Sequence, residues 1–172
     1  MKSRILNGSL VAVAVLVLTS CGFHLRGTGS ARMSLSVIHV TANDAYGEMQ
    51  QALQRALTEA GVKLVPADKA AYSVHLLTER RIRRSVATTS DVQVAEYGLN
   101  MEVSFELTDS AGKQVIEPAT VSAQRIYRFD SSSLVGSNEE ENLLNEEMRR
   151  DIASQIIRRI DATIRARNGK SQ

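Results

Sequence analysis

The sequence of 172 residues contains no tryptophan, one cysteine, two prolines and an aromatic fraction of only 4%. A single cysteine, Cys21, excludes an internal disulfide and a thiolate metal cluster. So few prolines argue against an extended proline-rich linker. Excess charge is missing as well: 21 Lys and Arg oppose 19 Asp and Glu, and two of the positive charges are Lys2 and Arg4. If the N-terminal segment is removed, 21 less 2 leaves 19 of each sign. The remainder is neutral and lacks the basic field of a nucleic-acid-binding domain, so any attraction to anions must come from local clustering. With 43% hydrophobic and 23% charged residues the composition is globular. A remainder of about 150 residues suffices for one core, so residues 21–172 are expected to form one domain.

The longest apolar run is short too. Leu10 to Leu18 is unbroken over nine residues behind Lys2 and Arg4, well below the ~20 needed to cross a bilayer. This is the pattern of a secretory signal over residues 1–20 rather than a retained anchor helix. The residues after it specify the type of signal. Leu18-Thr19-Ser20-Cys21 places an aliphatic residue and two small residues before the only cysteine, which is the lipobox of bacterial lipoproteins. In that chemistry the thiol takes a diacylglycerol, small residues admit the peptidase, and cleavage frees the Cys21 amine for a third chain. Several chains give a stable anchor, each buried methylene contributing about 0.8 kcal/mol. Position 22 is glycine; aspartate there favours retention in the inner membrane, so the expected destination is the outer membrane.

Past the lipidated N-terminus, taken as residues 21–34, patterning predicts an α+β fold. Leu35–Val40 mixes β-branched and apolar residues as a strand does. From Asp44 onward Met49, Ala52, Leu53, Ala56, Leu57 and Ala60 form one helical stripe, capped by Asn43 or Asp44 and ended by Gly61. A second strand spans Ala71–Arg84, with Tyr72, Val74, Leu76 and Ile82 on one face and Thr78 and Arg80 interrupting it. The strictest alternation is Leu99–Leu107. A turn at Asp109–Gly112 joins it to a strand over Ala119–Phe129 carrying Val121, Ala123, Tyr127 and Phe129, broken by Arg125. After a polar loop, Asp130–Asn138, a helix is predicted from Glu139, with Leu144, Met148, Ile152, Ile156, Ile160 and Ile164 inward and residues 168–172 frayed. The order β-α-β-β-β-α predicts a single mixed or antiparallel sheet of about four strands with both helices on one face.

Chemistry-bearing motifs are scarce. His24, His39 and His75 form no metal-ligand spacing, so neither a metal nor another cofactor is expected. No nucleophile elbow, phosphate loop or dinucleotide fingerprint is present. Glu139, Glu140, Glu141, Glu146 and Glu147 read as partners of a helix dipole rather than as acid and base. One cluster stands out: Arg80, Arg81, Arg83 and Arg84 place four guanidinium groups within five residues. Alternation sends Arg81 and Arg83 to one face and Arg80 and Arg84 to the other unless a turn gathers them. Two readings stand side by side: a solvated strand end that discourages edge pairing, and an anion site for phosphate, with lipopolysaccharide as the abundant phosphorylated amphiphile of the outer membrane.

At the lipobox the chain reads Cys21-Gly22-Phe23-His24-Leu25-Arg26-Gly27. This resembles the mature start of the LPS-assembly lipoprotein LptE family, typically Cys-Gly-Phe-x-Leu-Arg-Gly, and the element order extends the resemblance to about residue 167. The resemblance implies a non-catalytic plug and chaperone for the large outer-membrane barrel LptD, and a protein that binds lipopolysaccharide. Arg80, Arg81, Arg83 and Arg84 are the candidate contact by charge, not by a family motif. The alternatives are a freestanding outer-membrane lipoprotein that binds or scaffolds in the periplasm, and a small hydrolase, for which no local signature exists.

Overall fold

The computed structural model describes residues 33–44, 47–88, 94–130 and 134–169. Residues 1–20, read above as a signal, lie outside them, as do Cys21, His24 and the motif through Gly27. Strand β1, Val37–Ala42, buries Ile38 and Val40. Helix α1, Glu48–Glu59, turns Met49, Ala52, Leu53 and Leu57 inward. Its end follows the prediction: Gly61 has φ 82°, its N–H reaches the Thr58 carbonyl at 3.0 Å, and Val62 N–H reaches Leu57 at 2.9 Å. This pair of bonds occupies carbonyls the helix leaves open, and Val62 buries itself beside Leu57.

Its start differs from the prediction. Neither Asn43 nor Asp44 caps the helix; Gly47 holds the capping position without a side-chain bond. Asn43 is used elsewhere, its Nδ2 donating to the Leu77 carbonyl at 2.8 Å and its Oδ1 lying 3.0 Å from His75 Nε2.

Three long strands follow: β3 (Tyr72–Thr88), β4 (Val94–Asp109) and β5 (Gln114–Asp130). All outrun the predicted segments, because backbone pairing continues past the apolar residues that made the strands visible. Two-residue β2, Lys63–Leu64, completes a sheet of five strands rather than four, in the order β2-β1-β3-β4-β5. Strand β1 is parallel to β2 and β3, while β3, β4 and β5 form an antiparallel meander. The predicted turn closes it, with Gly112 at φ 75° and Asp109 Oδ1 accepting from the backbone N–H of Ala111 and Lys113.

Helix α2, Leu134–Gly169, starts five residues before the predicted Glu139. The segment read as a loop contains no proline, and Ser137, only 5% exposed, packs inward as a helical residue. Glu139–Glu141 therefore lie beyond the first turn, which has no acidic residue, and the predicted dipole pairing is lost there. The inward stripe is as predicted, with Met148, Ile152, Ile156, Ile160 and Ile164 at most 1% exposed. Asn168 and Gly169, predicted frayed, are helical; residues 170–172 lie outside the described residues. Both helices contribute to one core with Val74, Leu76, Met101, Val103, Phe105 and Leu107. The opposite sheet face, including Asn100, Glu102, Ser104 and Glu106, has no covering layer among the described residues.

Candidate functional site

The β3–β4 ladder decides where each arginine points. Leu76 stands opposite Phe105 and Thr78 opposite Ser104, so Leu77 is an extra residue, a β-bulge. One inserted residue exchanges the faces of everything after it. Before the bulge Val74 and Leu76 face the helices. After it Arg81 and Arg83 do, opposite buried Met101 and Leu99, while Arg80, Ile82 and Arg84 stand opposite Glu102, Asn100 and Gly98 on the open face. Ile82 thus does not share a face with Tyr72, Val74 and Leu76 as predicted. The four arginines split two and two, and no turn gathers them.

Arg81 and Arg83 are committed to internal pairs. Arg81 lies 3.7 Å from Glu48 and 3.5 Å from Glu79. Glu48 Oε2 also lies 2.9 Å from Arg149 Nη1, at ion-pair distance but off the line of a hydrogen bond. Arg83 Nη1 donates to Glu141 Oε2 at 3.0 Å, and its guanidinium carbon stands 4.7 Å from the centre of the Tyr97 ring. The hydroxyl of buried Tyr127 donates to the same Glu141 oxygen. Burial, then the bond to Glu141, push the Tyr127 hydroxyl up from 10.0 to about 12, and Glu141 raises Arg83 further above the usual arginine range. Phe129 closes the cluster edge-on to Tyr97 at 5.6 Å.

The open face at this end is different. Among the described residues Arg80, Arg84 and Arg128 have no carboxylate within ion-pair distance. Glu102 and Glu96 stand across the ladder from Arg80 and Arg128, whereas Arg84 stands opposite Gly98. Ile126 pairs with Gly98 from the other side and is 59% exposed; Val86, 55% exposed, lies over Gly98, its Cγ2 3.1 Å from where a Cβ would be. Free guanidinium groups beside exposed aliphatic side chains suit an amphiphilic anion. Ile126, Arg128 and Val86 were not singled out from sequence. The alternation that puts Ala123 and Tyr127 inward, read for its other parity, aligns Gln124, Ile126 and Arg128 outward.

At the opposite end the chain enters the fold through a clasp. Ser34 N and Oγ both donate to Asp161 Oδ1, at 2.9 and 2.7 Å, and Arg165 Nη2 lies 2.7 Å from Asp161 Oδ2. Burial pushes the Asp161 carboxyl up, but the Ser34 amide and hydroxyl and the Arg165 guanidinium outweigh it and hold it below the usual range. Leu35 is buried immediately after the clasp.

The described histidines lie apart from one another. His39 Nδ1 lies 3.0 Å from the Val65 carbonyl, and His75 lies between Asn43 and Glu106. Among the described residues no three His, Cys, Asp or Glu are placed to hold a metal ion, and no helix is long and apolar enough to cross a membrane.

A family model described as "LptE: Lipopolysaccharide-assembly" matches residues 35–160. The LPS-assembly lipoprotein LptE of Pectobacterium atrosepticum is 26% identical over 155 residues, covering 88% of this chain and 82% of that protein. Its counterpart in Photorhabdus laumondii is 27% identical over 161 residues, covering 93% and 87%. The solution structure of the uncharacterized lipoprotein B from Nitrosomonas europaea is similar in fold, with a TM-score of 0.69 at 24% identity over 84% of this chain and 94% of that one. With its match running from Leu35, beside the clasp, to Ile160 in α2 and taking in the arginine end between them, the chain belongs to the LptE lipopolysaccharide-assembly family, lipoproteins with a non-enzymatic role.

Proposed function

We propose that the chain is an outer-membrane lipoprotein, acylated at Cys21, that plugs the LptD barrel, assists its assembly and contacts lipopolysaccharide with the arginine end of its sheet. The observation that supports this is the polarity of the fold. The tether arrives at Ser34, beside the C-terminal half of α2, whereas Arg80, Arg84, Val86, Ile126 and Arg128 cluster at the far ends of β3 and β5. Helix α2 alone, with 36 residues, is about 54 Å long at 1.5 Å per residue. A bilayer with its headgroups is about 40–45 Å thick. Along α2 the clasp at Asp161 and the arginine end at Glu141 are 20 residues apart, about 30 Å, so a domain held by lipid in the periplasmic leaflet and standing along the membrane normal carries its arginine end across most of the ~30 Å hydrocarbon core toward the opposite leaflet.

Such a position requires a wide, polar enclosure. A chain of about 150 residues has a radius of gyration near 15 Å, which only the largest barrels can surround. The uncovered sheet face, lined by Asn100, Glu102, Ser104, Ser122 and Gln124, suits a water-lined lumen rather than lipid. Arg80, Arg84 and Arg128 would meet phosphate, and Val86 and Ile126 acyl chain. Arg81 and Arg83 hold the scaffold instead.

The test is to isolate the tagged full-length protein from detergent-solubilised outer membranes and compare unheated with heated gels. A stoichiometric large barrel released only on heating is the expected result. A chain that extracts alone removes the plug reading in favour of a freestanding lipoprotein.

A further inference from the structure

We infer that the outer edge of β5 from Gln124 to Arg128 is a docking edge that takes an extended segment of a partner protein by strand addition. Among the described residues strand β5 has a neighbour, β4, on one side only. In an antiparallel ladder a residue directs both its N–H and its C=O to the same side. Ser122 C=O accepts Gln155 Nε2 at 3.0 Å and Gln124 C=O accepts Arg125 Nη1 at 2.9 Å, so the even-numbered residues turn their backbone groups outward. The same alternation turns out the N–H and C=O of Ile126 and Arg128, for β5 stays in register with β4 from Ala119 to Asp130.

Elsewhere the perimeter is protected in the usual ways: β3 beyond Leu76, where β1 no longer pairs with it, carries the charged residues Glu79, Arg80, Arg81, Arg83 and Arg84. Strand β2 is two residues long and is followed at once by Val65 and Pro66. The early part of β5 carries Pro118 at a slip in register, and proline offers no N–H to a partner. Ser122 is covered by Gln155 of α2, and Arg125, which covers Gln124, is itself held by Asp151 and Glu147. Nearer its start α2 meets the inner face of the sheet, its Glu141 accepting from Tyr127 of β5 and from Arg83 of β3. Among the described residues nothing bonds the outward groups of Ile126 and Arg128. Ile126 is also the large apolar side chain of β5 left most open to solvent. A row of alternating donors and acceptors at strand spacing is complemented by another extended backbone. The segment that docks there carries an apolar residue beside Ile126.

The inference rests on the plug reading only for the identity of the partner, the barrel protein. Proline at 126 removes an N–H that points away from β4, so the ladder survives the change. Full-length Ile126→Pro, purified from outer membranes, is expected to keep the wild-type circular dichroism and thermal midpoint while retaining the barrel about tenfold less well. Ile126→Val, which keeps the N–H, retains it. In the wild-type complex the amides of Ile126 and Arg128 exchange with deuterium more slowly than in the chain alone. Equal exchange in the two states, or a folded proline variant that retains the barrel fully, overturns the inference. If the proline variant does not fold, the exchange comparison decides. If the wild-type chain retains no barrel, the plug reading fails separately, and photocrosslinking in cells from position 126, with position 55 on α1 as control, decides the edge. A 126-specific adduct with the barrel protein supports it; no such adduct, or one with a second copy of this chain or with any other protein, overturns it.

Discussion

Arg83 of β3 and Glu141 of α2, 58 residues apart in sequence, meet at 3.0 Å, and the same carboxylate oxygen accepts the hydroxyl of buried Tyr127. This contact ties the N-terminal third of α2 to the sheet, since the fully buried stripe of that helix begins only at Met148. Val135 and Leu143, before it, are exposed.

Glu141→Ala is therefore expected to cost about 2–3 kcal/mol, because it leaves the Tyr127 hydroxyl without an acceptor and Arg83 without its carboxylate. Tyr127→Phe, which removes the donor as well, costs less, about 1 kcal/mol. The raised Tyr127 value has a defined pH signature. Its contribution is fully present below the unfolded tyrosine value of about 10 and is lost as pH rises through the folded value. Urea unfolding of wild type and Tyr127→Phe between pH 8 and pH 12 checks this: the difference should shrink above pH ~10.

The Ser34–Asp161 clasp responds at the other end of the pH scale. Asp161 is held below the usual aspartate range, so its contribution is present above the unfolded value of about 3.9 and is lost as pH falls through the folded value. Asp161→Asn should lower stability by about 1–2 kcal/mol at pH 7, and the difference should vanish in acid. Ser34→Ala, which keeps the backbone N–H bond, should lose about half as much. A difference from Asp161→Asn that persists unchanged to pH 2 would contradict the assignment.

The split of the four arginines separates two kinds of variant. Arg80→Ala, Arg84→Ala and Arg128→Ala remove unpaired surface charges and should leave stability within about 0.5 kcal/mol. Combined, they should weaken retention of lipopolysaccharide by about tenfold or more, read by displacement of a fluorescent lipopolysaccharide. Arg81→Ala and Arg83→Ala should do the reverse, lowering stability by about 1 kcal/mol each with binding unchanged in the folded chain. Undiminished binding in the open-face triple variant would remove this face as the contact.

Part of this arrangement was legible in the sequence. Leu99–Leu107 alternates without a break, and Ile152, Ile156, Ile160 and Ile164 repeat every four residues, so one face of each was identifiable and is buried. Gly61 was legible because few residues other than glycine adopt its positive φ. The faces of the arginines were not: Thr78 and Arg80 interrupt the alternation just after Leu77, but no glycine or proline locates a bulge there. Only pairing with Phe105 and Ser104 reveals the extra residue. Likewise Asn43 looked like a helix cap, and its preference for the Leu77 carbonyl depends on a strand 34 residues away.

That bulge yields a prediction opposite to the usual effect of a deletion within a strand. Removing one residue from a regular strand exchanges the faces of all that follow. Removing Leu77 instead joins Leu76, already opposite Phe105, directly to Thr78, already opposite Ser104, and the pairing from Thr78 to Ser85 is unchanged. What is lost is the Leu77 carbonyl that accepts from Asn43, together with a half-buried side chain. The expected cost is about 1–3 kcal/mol, or a fall of roughly 2–12 °C in Tm at this chain length. Arg83 should still reach Glu141, so Tyr127→Phe should cost as much in the deletion background as in wild type. Deletion of Val103 from the facing strand has no bulge beside it to absorb the change and is expected to prevent folding. A Leu77 deletion that unfolds the chain as completely would show that the extra residue is needed for closure of the sheet and not only for the direction of its arginines.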